Sequence, residues 1–263
     1  MLGKVIKYDM KYLNRLLVPY YLILIGMAGL IRLLGIIGEH NAAIKVTSTI
    51  IKVFFFVGVA LVLVYTLVIV LKRFYDNTYK EEGYLTHTLP IKRGNVIDSK
   101  IILSVFYVIV GIGVMALTLL IAVYSTELVE TIKNILAEIN LGFNISMAKL
   151  IIYMVLIVFS SYFSYLLMIM AGMSIGQTFN DKRTLWSVVF SVLIYYVSQI
   201  ISTVVMLVFS FGKMNMLDII KTGKEPVEFV TFTMGLSFAL TAVLLVAYYI
   251  IAKITLTKKL NIL

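Results

Sequence analysis

The chain has 263 residues, of which 61% are hydrophobic, and a mean hydropathy of +1.02, well above the roughly 45–50% apolar content of a soluble domain. That composition excludes a water-soluble protein of this size. The net charge of +10 is spread between apolar runs rather than over one soluble face, which speaks against a nucleic-acid partner, and the absence of cysteine removes disulfide frameworks and thiolate metal sites.

Residues 1–16 open the chain with Leu2, Val5, Ile6, Met10, Leu13 and, just beyond, Leu17 at helical spacing, opposite a stripe of Lys4, Lys7, Lys11 and Arg15. This pattern predicts an amphipathic connecting helix lying in the lipid headgroup plane. No small-residue cleavage site follows a short apolar region, so a removable signal peptide is not expected. Six apolar runs follow, at 17–37, 53–71, 101–123, 150–174, 186–211 and 229–252. Each reaches or approaches the roughly 20 residues needed to cross a hydrocarbon core about 30 Å thick. The fold expected is an all-α integral membrane protein, one transmembrane domain over 1–263. Of the prolines, Pro19, Pro90 and Pro226, none falls mid-span, so each span can satisfy its own backbone.

The basic residues set the orientation. Segments 1–16, 72–100, 175–185 and 253–263 hold 15 of the 23, whereas 38–52, 124–149 and 212–228 hold 7. The positive-inside rule then places both termini in the cytoplasm. The external segment 124–149 carries an apolar stripe of Leu128, Ile132, Ile135, Leu136 and Ile139, with Glu127 and Glu130 near its start. It reads as a short helix on the outer leaflet or as part of an outer gate. Segment 212–228 is more weakly amphipathic and has the option of re-entering the membrane.

The cytoplasmic loop 72–100 is the most informative stretch. Thr78-Tyr79-Lys80-Glu81 fits a capping box that would start a short helix through Glu82, Tyr84, Leu85 and Thr88. Pro90 would stop that helix, and Asn95, with Asp98 three residues on, would cap the next. Tyr84, Leu85 and Leu89 have no core of their own, so they lie on lipid or fit a soluble partner.

This order of parts resembles the permease subunit of type-2 ABC exporters, the six-span architecture shared with the ABCG family. The run from Glu81 to Pro90, Glu-Glu-Gly-Tyr-Leu-Thr-His-Thr-Leu-Pro, is similar to the coupling region of small bacterial members, and so is the Ser174–Asn180 stretch between spans four and five. As a layout the resemblance covers nearly the whole chain. It implies a dimer with a second permease subunit, alike or unlike, docked on a separate cassette ATPase. It also implies that Glu81, Glu82, Tyr84, Leu85 and Thr86 contact that ATPase through a coupling helix. The phosphate-binding GxxxxGK[ST] pattern is absent from the chain, as expected for a permease that leaves ATP hydrolysis to its partner. No cofactor is implied. Together with the small external loops, the resemblance implies a bacterial plasma membrane and, by analogy, a peptide or amphiphilic substrate.

Three residues are candidate cavity-lining groups. Gln199 and Ser202 stand in span five, the most polar span, where an amide near the centre is costly against lipid; interhelical hydrogen bonding is the competing role. Arg32 lies in the outer part of span one, where it either snorkels to the interface or serves a substrate or dimer contact. Gly172 and Gly176 form a small-xxx-small pair, as do Ser160 and Ser164, read first as packing within the subunit. His40 and His87 fall on opposite sides and cannot share a metal site.

Two other classes compete. Glu81-Glu82 invites comparison with the paired glutamates of CAAX-type membrane proteases. Thr86 occupies the place of the arginine that family needs, however, and no span contains a histidine. A channel or secondary transporter without an ATPase partner is the second alternative. Spans with no Asp or Glu in their interior argue against it.

Overall fold

The computed structural model describes residues 2–37, 42–80, 94–123, 134, 147–179, 181–213 and 225–258. Six helices take up nearly all of them: α1 Leu2–Ile37, α2 Ala42–Tyr79, α3 Gly94–Val123, α4 Met147–Gly176, α5 Arg183–Lys213 and α6 Glu225–Lys258. All six are long and apolar enough to cross a bilayer, and each expected span falls inside one of them. The chain is a multi-pass membrane protein built of helices, with no strand among the described residues.

The helices outrun the spans. α1 has 36 residues and α2 has 38, about 54 and 57 Å at 1.5 Å per residue, against a core of about 30 Å. The extra turns bear on three expectations. Residues 2–16 continue without a break into the first span, through Pro19. Proline removes one amide and crowds the carbonyl four residues back, yet neighbouring helices make such a residue tolerable in a membrane helix. Thr78 does not cap a new helix, because α2 runs on to Tyr79 and buries Thr78. Asn95 lies within the first turn of α3, which starts at Gly94. Pro226, by contrast, stands in the first turn of α6, where a missing amide costs nothing.

The chain divides into two compact units, 1–133 and 134–263. In the first, α1, α2 and α3 all pack on one another. One side of α1, Asp9, Leu13, Leu17, Tyr21, Leu24, Ala28 and Ile31, is buried at steps of three and four residues, the pattern of a helix seam. Met10, expected on the apolar side, is exposed. The Tyr20 hydroxyl donates to the Gly58 carbonyl at 2.6 Å and Arg73 reaches Asp9 at 2.9 Å, so α1 and α2 run antiparallel. Tyr107 donates to the Asn14 side chain at 2.6 Å, and a Cβ on Gly111 would lie 3.6 Å from the Tyr21 hydroxyl, so α1 and α3 run parallel. From Asp9 onward one side of α1 is therefore covered by α2 and α3.

In the second unit α4 packs on both α5 and α6. Gly172 and Gly176 allow the closest approach: an added Cβ would come within 2.5 Å of Ser191 Cα and 2.2 Å of the Ser187 amide nitrogen. The small-xxx-small pair thus packs within the subunit, as its spacing implies. Ser160, of the second pair, donates to the Ile157 carbonyl of its own helix at 3.0 Å. Tyr162, Leu166, Met170 and Ala171 of α4, with Tyr248, Ala252 and Leu256 of α6, make up most of the buried apolar side chains of this unit.

Candidate functional site

The chemistry that the helices bring together lies at one end of the first unit. Asp9 is the only acidic residue before Glu39, and it sits on the buried seam of α1, one turn before Leu13. Its side chain is 1% exposed. One carboxylate oxygen accepts from Arg73 Nε at 2.9 Å and from Asn77 Nδ2 at 2.8 Å, both on α2. The other accepts from Lys100 Nζ on α3, whose side chain is fully buried. A single carboxylate on α1 therefore binds two cations carried by two different helices.

Burying such charges is expensive unless each is paired and hydrogen-bonded, and here three charge-assisted donors meet the carboxylate. The Arg73 guanidinium also lies 4.6 Å from the centre of the Tyr12 ring, one turn along α1. Above the cluster Tyr107 ties α3 to Asn14 and to the Met10 carbonyl, 3.2 Å away. Toward the end of α2, Asp76 pairs with Lys80 at 2.8 Å, and that hydrogen bond raises the Lys80 pKa above the ordinary lysine value.

The location gives the cluster its interest. Asn77 is two residues from the end of α2 and Lys100 is six residues into α3. Between those helices lies the coupling segment proposed from sequence. Glu81, Glu82, Tyr84, Leu85 and Thr86 fall outside the described residues, as do most of 124–149 and residues 214–224. What the structure defines is the pair of helices that bound residues 81–93, both held to α1.

The other expected residues are dispersed. Gln199 is exposed on α5 within this chain, and Ser202, three residues on, is half-buried. Arg32 is exposed near the end of α1. None of the three belongs to the Asp9 cluster. One residue before Gln199 on α5, Ser198 accepts from Tyr248 of α6 and donates to the Ile194 carbonyl.

Of the stretch Ser174–Asn180, residues 174–179 mark the end of α4 and the turn after it, and Asn180 lies outside the described residues. The Ser174 hydroxyl donates to the Met170 carbonyl at 2.8 Å, and buried Gln177 donates to Ser187 at 3.2 Å. The turn ends on Lys182 with φ 48°, a left-handed conformation uncommon outside glycine. Phe179 stacks on Trp186 at 4.9 Å and on Phe190 at 5.4 Å.

Hydropathy alone gives Asp9 and Asn77 no role and counts Arg73 and Lys100 only as charges of the 72–100 loop. One signal was present: Asp9 falls between Ile6 and Leu13 on an otherwise apolar stripe, where a lone carboxylate needs a partner. Asp9 lies in α1 but ahead of the apolar span 17–37, whose interior holds no carboxylate. Comparison with family models, curated proteins and solved structures finds no match for this chain.

Proposed function

We propose that the chain is the transmembrane permease subunit of an ATP-driven exporter in a bacterial plasma membrane, with both termini cytoplasmic. In this reading a separate cassette ATPase binds the 81–93 segment through Glu81, Glu82, Tyr84, Leu85 and Thr86. A second permease subunit completes the pathway, and the spans alternate their access to a peptide or amphiphilic substrate. The observation that carries the reading is the Asp9 cluster: Arg73 and Asn77 before the segment and Lys100 after it converge on one buried carboxylate. A push on a segment framed in this way is passed to three helices together, as coupling requires.

The exposure of α5 is consistent with the proposed partner subunit. None of its most apolar 18-residue window is buried within the chain, and Gln199 is exposed on the same helix, where lipid alone would be a poor neighbour for an amide.

The test is a pull-down of tagged protein from gently solubilised native membranes, with partners identified by mass spectrometry. A stoichiometric cassette ATPase, lost when Tyr84 and Leu85 are both replaced by Ala, is the expected result. Intact, abundant protein with no ATPase partner would overturn the reading.

One observation favours a second reading. The buried Asp9–Lys100 pair inside spanning helices is the kind of group through which an ion-coupled secondary transporter works. Uptake or efflux that survives ATP depletion but stops when the ion gradient is collapsed would select it.

A further inference from the structure

Asp9 is the only acidic residue of α1, and its side chain is buried in the seam. The opposite side of the same turns carries Lys4, Lys7, Lys11 and Arg15, all exposed. They stand at steps of three and four residues, so they share one face of the helix. No carboxylate of α1 lies on that face. We propose that this face is a binding site for anionic phospholipid, in which the four side chains hold headgroup phosphates of the adjoining leaflet.

The contacts of α1 put this face at the depth of the headgroups. Asp9 meets Arg73, just beyond the apolar run 53–71 of α2, and Lys100, just before the run 101–123 of α3. The edge of the hydrocarbon therefore falls near Asp9, about two turns ahead of Leu17, where the apolar run of α1 itself begins. Tyr107 reaches Asn14, and the rings of Tyr20 and Tyr65 lie 4.8 Å apart. The turns of α1 from Asn14 to Tyr20 thus stand beside the apolar runs of both neighbours. Lys7 and Lys11 flank the edge, and Arg15 lies just inside it.

A cation left facing hydrocarbon is costly. Long side chains on a helix lean toward its N-terminus, which on α1 is the side of the edge. Lys11 and Arg15 can therefore lay their stems on lipid and carry their charges out to the phosphates. The planar guanidinium of Arg15 suits a phosphate in particular, because it can donate two bonds at once. The α3 helix offers a contrast at the same depth. Its exposed residues Ile102, Val105 and Ile109 follow Asp98 at steps of three and four, so a carboxylate stands where α1 has cations. The site needs no ATPase partner.

The absence of native cysteine allows one fluorophore to be placed on the full chain without a background. It is attached at Val18→Cys, exposed one turn deeper on the basic face, or at Ile109→Cys on the α3 face. Each labelled protein is reconstituted into phosphatidylcholine vesicles that contain either brominated phosphatidylglycerol or the same fraction of brominated phosphatidylcholine, and quenching by the two is compared. At Val18→Cys the anionic lipid should be favoured about fivefold, the effect of one cation near an anionic surface, and high salt should reduce the preference. At Ile109→Cys the two lipids should quench equally. Lys7→Gln, Lys11→Gln and Arg15→Gln together should lower the Val18→Cys ratio to that of Ile109→Cys, whose own unchanged ratio shows that the fold is intact. The proposal is overturned if Val18→Cys shows no preference, if both positions show the same preference, or if the preference survives the triple variant. Protection of Val18→Cys from both lipids would assign the face to a protein neighbour and overturn it as well.

Discussion

The two three-helix units solve the same packing problem with different chemistry. In the first, helices are joined at one end by a buried carboxylate among two cations and an amide. In the second, α4 and α5 are joined by the lack of side chains, with Gly172 and Gly176 against the backbone of Ser187 and Ser191. An electrostatic joint depends on charge and can be released by moving it. A joint of backbone against backbone depends on shape and has no comparable release.

Substitutions can break or sharpen that contrast. The largest effect is expected from Asp9→Ala, which removes the carboxylate shared by part-buried Arg73 and fully buried Lys100. Removing one member of a buried pair costs about 3–5 kcal/mol, to be read from denaturant unfolding of the purified protein in detergent. A loss well under 1 kcal/mol would mean the cluster is wetter than its burial implies. Next comes Gly176→Leu. Its Cβ alone would stand 2.2 Å from a backbone nitrogen, and backbone cannot swing aside as a side chain can. Overpacking of this kind costs about 1–3 kcal/mol or more, visible as a lowered unfolding midpoint. If the joint of α4 and α5 is a matter of shape, the loss should be insensitive to salt.

A smaller effect is expected from Tyr20→Phe, which deletes the 2.6 Å hydrogen bond to the Gly58 carbonyl. The net worth of such a bond is about 0.5–1.5 kcal/mol, and the same unfolding measurement decides it. The smallest effect is expected from Gly113→Ala. Nothing lies within 4 Å of the added Cβ, and alanine favours the helix by up to about 1 kcal/mol in exposed interiors. A neutral or slightly raised midpoint would show that the sensitivity of Gly176 comes from its neighbour and not from glycine as such. Marked destabilisation would place an unrecognised contact at that face of α3.

Hydropathy located six apolar runs, each of which falls inside a longer helix, but it does not say where those helices end. It follows where lipid lies, whereas a helix continues as long as its backbone and neighbours allow. Thr78 shows the difference. Its local sequence resembles a cap, a preference worth about 1 kcal/mol, yet α2 runs on past it. Gly172 and Gly176 were legible because spacing on one helix is a local property. Gln199 stands out in the sequence as a polar group in an apolar run, but its neighbours depend on parts that sequence does not place.

What the sequence determined by itself is the class of molecule and the count of crossings. In hydrocarbon every backbone amide and carbonyl must be satisfied within its own segment, so runs of apolar residues long enough to cross become helices whatever surrounds them. What only the tertiary structure decided is which charges meet. Asp9 is 64, 68 and 91 residues from Arg73, Asn77 and Lys100. Nothing local fixes that meeting. It follows from the register in which α1 lies against α2 and α3, set by Leu13, Leu17, Tyr21 and Leu24 along one seam, and a shift of one turn would have left the same carboxylate facing apolar side chains.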